Sequence, residues 1–212
     1  MANTSGRRAL VVIDVQNEYI DGKFLIEYPP VSSSLPNIAR AMDAAHQRGI
    51  PVVVVQHVQS EASPLFARGS HGVQVHESIA SKPYDHHIEK TMPSCFAGTD
   101  FGAWLKANDI GTIAVVGYMT HNCNDSTMRQ AMHEGYQVEF LADAAGSLPY
   151  ENKAGRVSAE EIHNVTCVVM QSAFAAVVGT DEWIAGLDGG AGFERDNVFV
   201  SNQRYLATRA SK

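Results

Sequence analysis

The stretch T-I-A-V-V-G-Y-M-T-H-N-C, Thr112 to Cys123, decides how the rest of the chain is read. Its opening run, Thr112 to Val116, is β-branched or apolar without polar alternation, the pattern of a strand covered on both faces. Polar residues follow it, and then a helix-like stretch begins. Comparable runs recur at Ala9 to Ile13, Val52 to Val55, Val138 to Leu141 and Ala175 to Val178, and a shorter, fainter one closes at Lys90. Helical patterns separate them. That alternation predicts an α/β fold: a doubly wound (Rossmann-like) three-layer sandwich with a central parallel sheet of about six strands and right-handed crossovers.

The intervening helices carry boundary signals. One is expected from Leu35 to Arg48, with Pro36 in its first turn and Gly49 past its end. Another starts at Ser158, which forms an S-x-x-E capping box with Glu161, and turns Ile162, Val165 and Val169 inward on one face. A third runs from near Cys123 to Gly135 with Met128, Ala131 and Met132 inward. A fourth, around Thr99 to Ala107, buries Phe101 and Trp104 or Leu105. Residues 59 to 87, rich in Ser, Gly and His and weakly periodic, suggest an excursion that roofs a site. The tail from Asp188 to Lys212, with Gly189, Gly190, Gly192 and the run Val198 to Val200, either packs on a neighbouring subunit or frays.

The chain has 212 residues, 45% of them hydrophobic, which suits a single domain over residues 1–212 with a core of about 8–185 and an extension over 188–212. A net charge of −7 with no block of Lys or Arg argues against nucleic acid as a partner. No apolar run approaches the roughly 20 residues that span a bilayer. The N-terminus MANTSGRR lacks the apolar region of a secretory signal, so no membrane partner and a cytoplasmic location are expected. Cys95, Cys123 and Cys167 contain no C-x-x-C pair, which disfavours a disulfide framework or a cysteine zinc site.

In open α/β sheets ligands bind beyond the carboxyl ends of the strands, so polar residues just after the runs are the candidates. Asp14, in LVVIDVQNEY, is costly to bury unless paired, and is either a functional carboxylate or the partner of a buried cation. Neither G-x-G-x-x-G nor G-x-x-x-x-G-K-[ST] occurs, so dinucleotide and P-loop chemistry find no support, and no cofactor is expected. Lys90, in HHIEKTMPSCF, reads alone as a solvated loop residue, but beside Asp14 it becomes the counterion. Cys123 lies at the expected N-terminus of a helix, where free N–H groups and aligned dipoles lower a thiol pKa. Position alone leaves it open between core filler and nucleophile. Cys167 reads as core filling, and Cys95 as a residue near the site. The nine histidines show no specific ligand spacing such as H-E-x-x-H, and no metal is expected.

Together, Asp14 at the end of the first run, Lys90 in K-T-M-P-S-C-F-A-G-T-D, and Cys123 in G-Y-M-T-H-N-C followed by R-x-A-x-x-x-G-Y resemble the isochorismatase-like cysteine hydrolase superfamily. The A-D-A after Leu141 and the helix from Ser158 fit in the same order, so the resemblance spans roughly residues 8 to 185. It implies a catalytic triad of Asp14, Lys90 and Cys123. It also implies a cis peptide between Tyr118 and Met119, and an oxyanion hole from the N–H groups of Met119 and Cys123. In this chemistry the Cys attacks a carbonyl carbon, the Asp moves the proton and the Lys stabilises the charges. Isochorismatases proper cleave a vinyl ether by protonation and need no thiol, so Cys123 favours cleavage of a small amide, carbamoyl or related C–N bond through a thioester. Nicotinamidases carry an Asp-x-His metal pair after the second strand, where this chain has Q-H-V-Q-S-E-A-S.

Gln16, Tyr19, Phe24, His57, Phe96, Tyr118, His121, and Gln171 or Phe174 are the expected lining of a pocket for a small, mostly uncharged amide. The alternatives are an ether hydrolase with Asp14 as acid, and a catalytically silent binding or scaffold protein of the same fold. The resemblance also implies a homo-oligomer.

Overall fold

In the computed structural model, which describes residues 7–189 and 192–210, the apolar runs become strands β1 (Arg7–Ile13), β2 (Val52–His57), β3 (His86–Lys90), β4 (Ile110–Tyr118) and β5 (Gln137–Gly146). A short hairpin, β6 (Tyr150–Asn152) and β7 (Gly155–Val157), precedes β8 (Ala176–Val178). The helices are α1 (Val31–Gln47), α2 (Glu77–Ala80), α3 (Phe101–Ala107), α4 (Asp125–His133), α5 (Ala159–Ala173), α6 (Thr180–Gly186) and α7 (Val198–Ala210). The N-terminal expectation over Met1 to Gly6, and Gly190 in the tail, lie outside the described residues.

The main sheet has six strands in the order β3-β2-β1-β4-β5-β8, and every neighbouring pair is parallel. Its register sets Val11 opposite Val53 on one side and Val115 on the other. Alternate residues then feed two cores. Leu10, Val12, Val52 and Val54 pack with α1 and α6 through Ile38, Met42 and Trp183. Ala9, Val11, Ile13, Val53 and Val55 pack with α3, α4 and α5 through Phe101, Met128 and Met170. Each fully buried aliphatic side chain contributes about 1.5–3 kcal/mol, which is why the unbroken apolar runs hold the centre of the sheet. The chain winds outward in both directions from β1 and β4, so the topological switch point lies between them.

Three expectations need correction. The first helix begins at Val31 rather than Leu35, because the hydroxyls of Ser33 and Ser34 bond to Pro30 O and tie a Ser-rich stretch into a helical turn. Pro36 therefore sits inside the helix rather than in its first turn. On α5 the capping box of Ser158 and Glu161 is present, but the buried residues are Ala159, His163 and Met170. Val165 and Val169, expected inward, are 63% and 38% exposed, and Val168 between them is 70% exposed. The apolar stripe of this helix faces away from its own core. The β6–β7 hairpin was not anticipated; its turn is held by Asn152 Oδ1, which accepts from Ala154 N at 2.8 Å.

One backbone position couples fold to site. Gly117 pairs with Ile13 across the β4–β1 ladder and has φ +103°. A Cβ there would collide with the backbone of Ile13, one residue before Asp14. Gly117→Ala is expected to destabilise the protein by about 3 kcal/mol or more, combining backbone strain with overpacking. Urea denaturation of the purified variant measures this.

Candidate active site

The carboxyl ends of β1, β3 and β4 converge beside the switch point, and each delivers one side chain. Asp14 follows β1 with a left-handed φ of 52°, Lys90 is the last residue of β3, and Cys123 lies in a single π-helical turn, Thr120–Asn124, between β4 and α4. All three are enclosed, at 0%, 2% and 3% exposure.

Lys90 Nζ is the hub. It lies 2.7 Å from Asp14 Oδ2, 3.2 Å from His57 Nδ1 and 3.3 Å from Cys123 Sγ. An ammonium has three donors and no acceptor, so these contacts use all of them. The other ring nitrogen, His57 Nε2, lies 2.6 Å from Gln59 Nε2, so the imidazole is bracketed by nitrogen groups on both sides. Burial and the Lys90 charge both hold the His57 pKa below its usual value. A carboxylate oxygen of Asp14, a ring nitrogen of His57 and Cys123 Sγ lie within 4.8 Å of one another, a spacing that can suit a cation. The same three groups already surround Lys90 Nζ, so a metal bound there would have to displace the ammonium, and the residues present do not fit one.

The protonation pattern follows from these contacts. Burial alone would depress the Lys90 pKa, but Asp14 and Cys123 outweigh it and hold the ammonium above its usual range. Burial, followed by the Asp14 carboxylate, drives the Cys123 thiol well above its usual value despite the opposing Lys90. The expectation of a thiol acidified by a helix N-terminus is therefore corrected: the resting group is a thiol. Its sulfur accepts from Lys90, and its proton is left to seek another acceptor. Asp14 Oδ1 is buried and has no hydrogen-bond partner.

The peptide between Tyr118 and Met119 is cis. Asn124 Nδ2 donates to Gly117 O at 2.8 Å, and the N–H groups of Asn122 and Asn124 donate to Met119 O, so the loop carrying Cys123 is tied to the end of β4.

The residues expected to line a pocket separate into two groups. Tyr19, Phe24, Tyr118 and His57 gather on the site side. Tyr19 packs on Phe24, Phe66 and Tyr118, and Phe66 packs edge-on to His57. Phe66 belongs to the segment 59–87, which thus contributes a wall. The Tyr19 pKa is raised by burial first and then by Cys123 and Asp14, which places its phenol in electrostatic reach of both. Tyr118 OH is shared with Ser34 Oγ at 2.9 Å, and burial pushes its pKa up to about 12.

His121 stands between Ser147 Oγ (3.0 Å from Nδ1) and Tyr150 OH (3.1 Å from Nε2), and burial lowers its pKa to about 4. It is neutral at physiological pH.

Gln16, Phe96 and Gln171 are placed differently. Gln16 is fully buried, and its amide is spent on backbone: it donates to His57 O and Val73 O and accepts from His57 N. It braces the site rather than facing a ligand. Phe96 packs on Phe101 and on Tyr136, which precedes β5, and so points toward the amino ends of the strands. Gln171 accepts from Val177 N and donates to Glu194 O, where α5 leads into β8, again at the opposite edge of the sheet. Phe174 shares that end and carries the Arg129 guanidinium over its ring.

Sequence reasoning missed Tyr150. Its pKa is raised by burial and then by Cys123, and it lines a surface cavity with Asn152, Gly155 and Val157. No motif marks it, because the hairpin that carries it has only short-range signals.

The family model described as Isochorismatase domain matches residues 8–182. A candidate isochorismatase from Burkholderia xenovorans LB400, Bxe_A0706, is 58% identical with a TM-score of 0.95, over 98% of this chain and 100% of that one. A cysteine hydrolase from Pseudomonas syringae pv. phaseolicola 1448A is 25% identical with a TM-score of 0.80, over 87% and 94%. The ureidoacrylate amidohydrolase RutB of Pseudomonas syringae pv. syringae is 30% identical over 172 residues, 66% of this chain and 70% of the relative. With its parallel sheet, the site at the switch point and a family match across most of its length, this chain belongs to the isochorismatase family of hydrolases.

Proposed function

We propose that this protein is a metal-independent cysteine hydrolase that cleaves a small, uncharged amide, carbamoyl or related C–N bond, with Asp14, Lys90 and Cys123 as its catalytic triad. The carrying observation is the division of labour on Asp14: Oδ2 is held by Lys90 at 2.7 Å, while Oδ1 is buried with no hydrogen-bond partner. A buried acceptor left unpaired is costly, and a thiol proton entering the reaction satisfies it. The amidohydrolase RutB and the P. syringae cysteine hydrolase, among the similar proteins, support the reaction class.

In this reading Asp14 takes the thiol proton as Cys123 Sγ forms its bond to the carbonyl carbon. Negative charge collects on the carbonyl oxygen, and the backbone N–H groups of Met119 and Cys123 are the proposed donors to it. Collapse of the tetrahedral species breaks the C–N bond, and Asp14 returns the proton to the departing nitrogen, leaving a thioester on Cys123. Asp14 then takes a proton from water, the hydroxide attacks the thioester carbon, the C–S bond breaks, and the proton returns to the thiolate. Lys90 keeps its proton throughout, and its fixed charge offsets whichever of Asp14 and Cys123 is anionic. Because the resting thiol is protonated, the base is indispensable in this mechanism. The enclosed triad, neutral His57 and His121, and the aromatic wall of Tyr19, Phe66 and Tyr118 favour an uncharged substrate, since a charged one would lose hydration with no counterion to receive it.

Cys123→Ala is expected to lower hydrolysis of responsive amides by about a thousandfold or more with an unchanged circular dichroism spectrum, and wild type should show an acyl adduct on Cys123 by mass spectrometry. Full activity in Cys123→Ala, on amides or on a vinyl ether, would sink the thioester route and favour Asp14 acting as an acid.

The pH dependence has a definite sign. The Asp14 carboxylate raises the Cys123 pKa, so removing its charge lowers that pKa and enlarges the thiolate fraction at neutral pH. Asp14→Asn should therefore move the alkylation midpoint of Cys123 to lower pH while abolishing turnover, and Lys90→Met should move it higher. Iodoacetamide modification followed across pH 6 to 10 reads both shifts.

A further inference from the structure

His121 lies in the same π-helical turn as Cys123, and a hydroxyl meets each of its ring nitrogens: Ser147 Oγ at Nδ1 and Tyr150 OH at Nε2. The two hydroxyls differ in their surroundings. Ser147 is fully buried just past the end of β5, and its backbone is fixed by exchange with Tyr28. Ser147 N donates to Tyr28 O at 2.7 Å, and Tyr28 N donates to Ser147 O at 3.2 Å. Tyr150 is half-buried at the start of the β6–β7 hairpin, whose next six residues, Glu151 to Arg156, are all exposed. Its ring meets that of His121 edge-on at 5.1 Å. Among the described residues, neither hydroxyl has a hydrogen-bond partner besides His121.

Burial decides which way the protons point. A hydroxyl has one donor, and a neutral imidazole has one N–H and one acceptor nitrogen. If Tyr150 donated to Nε2, the ring proton would sit on Nδ1 and Ser147 could only accept. The Ser147 O–H would then be buried without an acceptor, which is costly. The opposite direction leaves nothing buried unpaired: Ser147 O–H donates to Nδ1, and Nε2–H donates to the Tyr150 oxygen. Burial keeps the ring neutral, with a pKa of about 4, so Nδ1 retains the lone pair that this direction needs. Tyr150 is left with its own hydroxyl proton uncommitted. Its phenol is in electrostatic reach of the site, because its pKa is raised by burial and then by Cys123. The Tyr19 pKa is raised by burial, then by Cys123 and Asp14, and then by Tyr150, which links the phenol to the aromatic wall.

We propose that Tyr150 is a specificity-determining residue whose hydroxyl donates to a carbonyl oxygen of the substrate other than the scissile one, with Ser147 and His121 as positioning residues that aim the donor. The proposal rests on the hydrolase reading above and narrows its substrate class to small, uncharged amides that carry a second carbonyl acceptor. An alkyl group in the same place would cover the Tyr150 donor without pairing it, so amides lacking the acceptor are disfavoured.

Protection of Cys123 against iodoacetamide tests this on the full chain without requiring turnover. The probes are matched pairs in which one CH2 becomes C=O: acetoacetamide against butyramide, and levulinamide against valeramide. In wild type at least one ketone should protect at a roughly five- to tenfold lower concentration than its alkyl partner. Tyr150→Phe keeps the ring and removes the donor. It should bring each pair to equal protection with an unchanged circular dichroism spectrum. Ser147→Ala removes the buried donor without touching the ligand, and should shrink the wild-type ratio by about twofold or more. Equal protection by ketone and alkyl amide in wild type overturns the proposal, as does a preference that survives Tyr150→Phe. A preference lost in Tyr150→Phe but undiminished in Ser147→Ala overturns the directed relay. The hydrolase reading fails separately, through turnover retained in Cys123→Ala, and the protection ratios hold whichever way that falls.

Discussion

The Lys90 ammonium, buried and saturated by Asp14, His57 and Cys123, is the constraint on which the rest of the site depends. Taking a carboxylate and an ammonium out of water costs several kcal/mol each, recovered only where geometry is good and every donor is used. Here every Lys90 donor is used. The pair thereby fixes the charge beside the thiol and fills the one place among these residues that would attract a cation. It also leaves Asp14 Oδ1 without a hydrogen-bond partner, and the proposed proton transfer uses that oxygen.

The sheet explains why such a pair can exist. Parallel strands buried on both faces carry few polar side chains away from their ends, and one that occurs, Glu139 in β5, is held by Arg8 and Trp183; the order β3-β2-β1-β4 brings the ends of β1, β3 and β4 together around the switch point. Gly117 lets β4 approach Ile13 closely, and Asn124 ties the following loop back to Gly117 O. Gln16, expected to face a ligand, instead joins the end of β2 to the segment at Val73. Its fully satisfied amide makes the wall around the triad rigid rather than sticky.

Enclosure gives the thiol its character. The π-helical turn places Cys123 against Asp14 and inside the core, where burial and the carboxylate outweigh both the ammonium and any benefit of a helix end. A poised thiolate would be reactive without substrate, whereas a thiol with an adjacent base becomes nucleophilic only as its proton leaves. His121, His57 and the aromatic wall add polarity without charge. Tyr150 brings the exposed β6–β7 hairpin against His121, so the surface there is shaped by an element with little packing of its own.

Much of this was legible in the chain. Unalternating apolar runs such as Ala9 to Ile13 and Thr112 to Val116 specify buried parallel strands, because a strand covered on both faces holds a polar residue only where that residue is paired, and Asp14 stood out at the end of the first run. Position left Lys90 reading as a solvated residue and Cys123 open between core filler and nucleophile; the resemblance is what implied a place for both in one site. What the sequence alone could not determine was which face of each helix meets the sheet and which polar groups meet one another. The stripe on α5 has core periodicity but faces outward, since periodicity records that a face is to be covered, not by what. Phe96 and Gln171 follow apolar or helical stretches as plausibly as His57 does, yet lie at the opposite edge of the sheet. Strand direction, fixed only by tertiary pairing, separates them. The thiol's protonation was likewise decided by the folded structure, because desolvation and the Asp14 charge act through space between residues far apart in the chain.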